Sequence, residues 1–244
     1  MRKILVSQNT PANIAPYTSL KERLKVECVF RPFFRIEPLS SKEFRAQKIN
    51  LPDYTAVVFS SRHAIDAYFQ LGEELRFKVP ETMKYFCTTE AVAMYLQKHI
   101  VYRKRKIFYG NATPESVLEQ IGTKHSGETF LITTAENSKS DILTRLFDAK
   151  GLNYKTAVLI RSVSCDIKDL NFSDYDGVVV YNTADVASIF DNFPGFTQGE
   201  VKFISYGRSV VGAMEKAGLS ISLKAPSPEA PSAAKAIELF LQRK

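Results

Sequence analysis

Two stretches, YTAVVFSSRHAIDAYF (54–69) and YDGVVVYNTADVASIF (175–190), decide the fold. They align without a gap at a shift of 121 residues, pairing Tyr54 with Tyr175, Val57 with Val178 and Phe69 with Phe190. Each reads as a short β-branched strand, a polar turn and a helix-period segment, the half of a βαβ unit that forms parallel sheets. Working outward, KYFCTTEAVAM (84–94) matches KFISYGRSVVGAM (202–214) with two residues of slack. The opening KILVSQ and the strand VECVFRPFFRI resemble TFLITTAENSKSDIL and YKTAVLIRSV. Two similar units are encoded in one chain.

The same alternation continues from end to end. Strands are expected near 3–7, 26–36, 55–60, 84–88, 105–109, 129–133, 154–163, 177–181, 201–206 and 220–224. Helices are expected in the gaps, most clearly at 62–71, 89–98, 114–121, 138–149, 183–191, 208–217 and 231–242, each opened by a capping side chain or a first-turn proline. The class is α/β. Segments 26–37 and 154–165 are longer than an ordinary strand of ~5–6 residues, which suits connectors between domains.

Composition narrows the function classes. A chain of 244 residues with 45% hydrophobic and 24% charged residues can fill one or two cores, which excludes disorder and collagen. The apolar runs are strand-sized, and only Ile4, Leu5 and Val6 follow the basic Met1-Arg2-Lys3, so neither a membrane span nor a signal segment is expected. Cys28, Cys87 and Cys165 are odd in number and far apart, which suits free thiols in the cytoplasm, and His63, His99 and His125 lack metal-ligand spacing. A net charge of +7 favours an anionic partner.

Ligands of open α/β sheets bind beyond the carboxyl ends of strands, where helix N-termini offer free amides. The strand ends here carry Ser7, Asn9 and Thr10; Ser60, Ser61 and Arg62; Thr88 and Thr89; Gly110, Asn111 and Thr113; Thr133, Thr134, Asn137 and Lys139; Asn182 and Thr183; Gly207, Arg208 and Ser209; and Ser227. Any one of them is accounted for by plain N-capping. Their recurrence at so many strand ends points to a broad hydrogen-bonding cleft for carboxylates or phosphates.

The loops of P-loop, dinucleotide-binding and nucleophile-elbow enzymes are missing. His63 with Ser61 and Asp66 does not have triad spacing, and Glu90, Glu136 and Asp141 are acid–base candidates without an identifiable partner. The run Tyr102-Arg-Lys-Arg-Lys-Ile-Phe-Tyr109 has the basic and aromatic character of a single-strand binder, but such a run is more often a solvated edge that discourages sheet pairing, and no nucleic-acid partner is expected.

The ordered set VVFSSRHAI, YFCTTEAVAMYL, FYGNATPESVLEQI, FLITTAENSKSDILTRLFDAKG, YKTAVLIRSV, VVVYNTADV, KFISYGRSVVGAM and APSPEAPSAAKAIELFL resembles uroporphyrinogen-III synthases over essentially the whole chain. The resemblance implies two doubly wound parallel-sheet domains with interleaved connectivity, joined by a two-stranded β-ladder. Residues 1–33 with 166–244 would form one domain and 37–155 the other, with 34–36 and 156–165 as linker strands. It implies a hydro-lyase of porphyrin biosynthesis, a cytoplasmic monomer without cofactor, metal or membrane partner. The substrate would be hydroxymethylbilane, a linear tetrapyrrole with acetate and propionate on every ring, closed to uroporphyrinogen III with inversion of ring D through a spiro-pyrrolenine.

Carried over by position, the substrate-binding residues would be Ser60, Ser61, Thr88, Thr89, Lys139, Asn182, Lys202, Gly207 and Ser209. There are departures: Val210 replaces a hydroxyl residue, Tyr181 a Phe or Thr, and Ile160 stands where the family often has a tyrosine proposed to assist loss of the hydroxyl. Tyr181 and Tyr206 are then the candidate proton donors. The rival reading is a non-catalytic protein that binds a tetrapyrrole or other polyanion with the same two domains.

Overall fold

The computed structural model describes residues 1–136, 138 and 141–242. In chain order the elements are β1 (Arg2–Val6), α1 (Ala15–Leu24), β2 (Val26–Phe30), β3 (Phe34–Pro38), α2 (Ser41–Ala46), β4 (Ala56–Phe59), α3 (Arg62–Glu74), β5 (Lys84–Cys87), α4 (Glu90–Tyr95) and β6 (Ile107–Tyr109). There follow α5 (Pro114–Ile121), β7 (Thr129–Ala135), α6 (Asp141–Ala149), β8 (Asn153–Ser164), β9 (Gly177–Val180), α7 (Thr183–Asn192), β10 (Phe203–Tyr206), α8 (Arg208–Lys216), β11 (Ile221–Ala225) and α9 (Ala233–Gln242).

The chain divides into an outer unit, Met1–Arg35 with Val163–Lys244, and an inserted unit, Ile36–Ser162. The outer sheet has the order β11-β10-β9-β1-β2 and the inserted sheet β3-β8-β7-β4-β5-β6. Pairing is parallel from β2 through β11 in the first and from β8 through β6 in the second. Each sheet thus joins the opening strand pair of one sequence copy to the later three strands of the other, and the doubly wound α/β class read from the sequence holds.

The repeat is visible residue by residue. Both β4 and β9, and both α3 and α7, begin 121 positions apart, as do the 3-10 turns Leu51–Asp53 and Phe172–Asp174 that precede the strands. Asn50 Nδ2 donates to Asp53 Oδ1 at 2.7 Å, and Asn171 Nδ2 repeats this on Asp174 at 3.2 Å.

The central strands β4 and β9 are buried on both faces, which is why they are apolar runs without alternation. In the inserted unit Val57 and Phe59 pack with Tyr68, Tyr85 and Leu131, while Ala56 and Val58 face Phe86, Phe130 and Phe147 across the sheet. In the outer unit Ile4, Val179 and Ile204 pack against Ile237 and Phe240 of α9, and Leu5, Val178 and Phe203 against Val186, Ile189 and Met214 of α7 and α8.

Several expected spans need correction. The single strand 26–36 is two strands in different sheets, because Pro32 offers no N–H to a ladder and Phe33 turns in to a fully buried site of the outer unit. The helix over 89–98 ends at Tyr95 and continues as a 3-10 turn, Leu96–Lys98. The strand near 105–109 starts at Ile107, since Lys106 N–H closes a turn on the Arg103 carbonyl at 2.8 Å. This basic turn precedes an edge strand, the place expected for a charged edge.

Candidate functional site

In each sheet the connections run in opposite directions from one pair of central strands, β4 and β7 in the inserted unit and β1 and β9 in the outer unit. Such a reversal leaves a crevice beyond the carboxyl ends of the two strands. In the inserted unit a pocket of about 390 Å³ lies there, lined among others by Ser60, Ser61, Thr88, Thr134, Thr156 and Ile160.

Each lining group has a distinct state. Ser61 caps α3, its Oγ accepting from the Ala64 N–H at 3.1 Å. Ser60 is exposed, and neither its hydroxyl nor that of Thr88 has a hydrogen bond among the described residues. The main-chain amides of Ser60 and Ser61 are likewise unpaired there, two donors at the N-terminus of a 13-residue helix. Thr133 also lines the pocket, but its hydroxyl is buried and spent on the Val58 carbonyl at 2.8 Å. Ile160, 7% exposed, gives the pocket an apolar wall. The pocket can therefore hold a carboxylate against amides and hydroxyls with an apolar ring edge beside it.

The structure brings Ser60, Ser61 and Thr88 together. Thr89 stands apart as the N-cap of α4, its Oγ1 accepting from Val92 N–H at 3.3 Å. Lys139 and Asn137 lie outside the described residues. Thr156 was not anticipated: it lies inside the long strand β8, where a register shift between Val158 and Ile160 interrupts the alternation, and no strand-end rule marks it.

In the outer unit Asn182, Gly207 and Ser209 stand at carboxyl ends of strands. Gly207 has φ 130° and ψ 145°, a conformation that favours glycine, and opens α8 with Ser209 exposed in its first turn. Lys202 precedes β10 and so lies at the amino end of the sheet, five residues and about 16 Å of extended chain from Gly207. The carbonyl of Lys202 holds Val178 N–H at 2.8 Å at that end.

The Tyr181 hydroxyl is buried beside that of Tyr17, and burial first, with Tyr17 next, pushes the phenol well above its ordinary range. The Tyr206 hydroxyl donates to the Pro231 carbonyl at 2.9 Å. The other residue the sequence did not announce is Asp185 in α7, fully buried, which accepts from the Tyr181 and Asn182 amides at 2.9 Å and from Ser7 Oγ at 2.8 Å. Among the described residues no group of three His, Cys, Asp or Glu side chains could hold a metal ion, and no helix is long and apolar enough to cross a membrane.

The family model described as uroporphyrinogen-III synthase HemD matches residues 16–235. This chain belongs to the uroporphyrinogen-III synthase family. Family and fold are those of a cyclising lyase of haem biosynthesis. Among solved structures, uroporphyrinogen-III synthetase from Helicobacter pylori is similar at 16% identity with a TM-score of 0.60, over 100% of both chains. A mutant uroporphyrinogen III synthase from the extremely thermophilic bacterium Thermus thermophilus is similar at 12% identity with a TM-score of 0.58, again over 100% of both chains. At these identities the likeness is one of fold. No curated protein gives a match.

Proposed function

We propose that this member of the family closes hydroxymethylbilane to uroporphyrinogen III mainly by positioning, and that the strand-end groups of the inserted unit, Ser60, Ser61, Thr88, Thr134 and Thr156, hold carboxylates of one end of the substrate. The observation that carries this reading is the pair of unpaired amides at Ser60 and Ser61 on the rim of a pocket lined both by hydroxyls and by apolar side chains, Ile132, Leu143 and Ile160 among them. A carboxylate there meets the positive end of α3 and several neutral donors, a set that binds anions without fixing a proton. In the outer unit Gly207 and Ser209 at the start of α8 are proposed to add a further contact, and Asn182 acts through its exposed side chain.

The chemistry asks little of an acid. The pyrrole nitrogen lone pair expels the terminal hydroxyl, which leaves as water with the N–H proton given up by that ring, and an azafulvene results. The substituted α-carbon of ring D attacks the exocyclic carbon and forms the spiro-pyrrolenine; the bond from that carbon to the ring C bridge then breaks, and the bridge re-attaches at the other α-carbon of ring D, which loses its proton. What must be imposed is which ring D carbon meets the azafulvene, and holding reactants in one geometry contributes ~7–11 kcal/mol in favourable intramolecular cases. A pocket of about 390 Å³ is sized for part of such a substrate, which suits gripping one end while the chain folds back. We further propose that the chain works as a cytoplasmic monomer and that the paired strands β3 and β8, which carry the unit boundaries at 35/36 and 162/163, are its linker.

The test is the isomer ratio. Hydroxymethylbilane is supplied to the full chain, the products are oxidised, and isomers I and III are resolved. Isomer III in excess supports the proposal, whereas isomer I alone, the spontaneous product, with retained tetrapyrrole binding would favour the non-catalytic binder, the reading that Ile160 in the pocket wall makes specific.

A further inference from the structure

The two copies of the strand–turn–helix unit use the amides of their turns in opposite ways. In the inserted unit the turn runs through Ser60 and Ser61, residue 64 is a buried alanine, and the two amides carry no hydrogen bond among the described residues. In the outer unit the equivalent turn runs through Tyr181 and Asn182, and the residue 121 positions beyond Ala64 is Asp185. Its Oδ2 accepts from the Tyr181 N–H at 2.9 Å, the Asn182 N–H at 2.9 Å and the Ser7 hydroxyl at 2.8 Å. Its Oδ1 is buried and unpartnered among the described residues, and the residue as a whole is 0% exposed. Two convergent amides at a helix N-terminus with a carboxylate oxygen on both are an occupied anion site, and the anion belongs to the chain itself.

A capping side chain that only closed a helix would need the Asn182 amide alone. Asp185 also takes the Tyr181 amide and reaches across to the Ser7 hydroxyl at the end of β1, so the turn is saturated and its positive helix end neutralised. Burial pushes this carboxyl upward in pKa, while the two amides and the Ser7 hydroxyl favour the ionised form. A second carboxylate arriving here would find no free amide and a like charge already seated.

We propose that Asp185 is a built-in occupant of the β9–α7 turn that closes it to substrate carboxylates, so that of the two equivalent turns only β4–α3 is open to an anion. The part concerning the open turn rests on the reading given under Proposed function; the part concerning the filled turn does not. A substrate bearing carboxylates on every ring then meets one open cradle of this kind rather than two equivalent ones, so the two copies are not interchangeable in binding.

The test uses the full chain labelled with ¹⁵N and sodium propionate as the probe, following backbone amides by heteronuclear NMR. In the natural chain propionate is expected to shift the Ser60 and Ser61 amides and leave Tyr181 and Asn182 still; in Asp185→Ala, which mimics the other copy, Tyr181 and Asn182 are expected to shift saturably. The proposal is overturned if Tyr181 and Asn182 respond in the natural chain as strongly as Ser60 and Ser61, or stay silent in a folded Asp185→Ala. Silence at Ser60 and Ser61 together with a response of Tyr181 and Asn182 in Asp185→Ala would remove the reading of the β4–α3 turn and leave the assignment of Asp185 standing. Should Asp185→Ala fail to fold, the reciprocal Ala64→Asp decides. It is expected to silence Ser60 and Ser61 and to raise KM for hydroxymethylbilane at least tenfold, and an unchanged propionate response in that variant overturns the proposal.

Discussion

Ser60 and Ser61 are neighbours with the same side chain, yet the structure gives them different work, and replacing each by alanine separates the two roles. The Ser61 hydroxyl is committed to the Ala64 amide as the cap of α3. Losing a serine cap costs ~1 kcal/mol, a fall of about 2–4 °C in Tm for a chain of this size. Ser60 is exposed and its hydroxyl holds nothing among the described residues, so Ser60→Ala is expected to leave stability within ~0.5 kcal/mol. Its hydroxyl is free for substrate, and one hydrogen bond to a carboxylate shared with two amides is worth ~1 kcal/mol net, about fivefold in KM. Thermal unfolding and steady-state kinetics on the two variants read both quantities. Ser61→Ala should lower Tm and change KM less than Ser60→Ala, which should do the reverse. The reasoning is refuted if the two variants are indistinguishable, if Ser60→Ala is the less stable, or if either hydroxyl alone costs more than ~3 kcal/mol of binding, since the amides would then not share the load.

Ile160→Tyr places a phenol in the wall of the same pocket, and a reaction governed by positioning should change its kcat by less than about tenfold; a larger gain would show that the absent hydroxyl limits the rate. Glu43 accepts from the Ser40 hydroxyl at 2.6 Å, the Ser40 amide at 2.9 Å and Arg161 at 2.6 Å, which hold its carboxyl at about 2, below its ordinary 4.5. A pKa lowered by folding stabilises above the unfolded value, and this contribution is lost as pH falls from about 4.5 to about 2. The Tm difference between the natural chain and Glu43→Gln should therefore shrink across that window, and a constant difference would contradict the assignment. Burial pushes the Cys87 thiol up to about 12 and that of Cys28 to about 11, so iodoacetamide near neutral pH should spare both in the folded chain and modify both in urea, as read by mass spectrometry.

The fold was legible because its signal is local and repeated. The pair 54–69 and 175–190 carries strand, turn and helix at one register, and the structure places β4 with α3 and β9 with α7 at that same shift. What failed to read was set by long-range context. The segment VECVFRPFFRI looks like one strand, but its two halves belong to different sheets, and only Pro32 hints at the break. Helix α2 carries a legible start, Ser40 with Glu43 as a capping box, but six residues are too short for an apolar period to show. In the candidate site, Ser60, Ser61 and Thr88 follow from the rule that ligands sit beyond carboxyl strand ends, and Lys202 departs from it because a residue before a strand lies at the opposite edge. Asp185 was hidden in plain alignment: Ala64 against Asp185 is one of the substitutions that distinguish the two turns, yet only the hydrogen bonds reveal that the carboxylate turns back on its own amides.

The account stands on carboxylate capture by main-chain amides at a strand end, and the structure of the full chain crystallised anaerobically with uroporphyrinogen III addresses it directly. An acetate or propionate oxygen within hydrogen-bond distance of the Ser60 and Ser61 amides, with none on those of Tyr181 and Asn182, is the result expected. Product carboxylates seated at the amino ends of the strands near Lys202, with the Ser60 and Ser61 amides left to solvent, would contradict it.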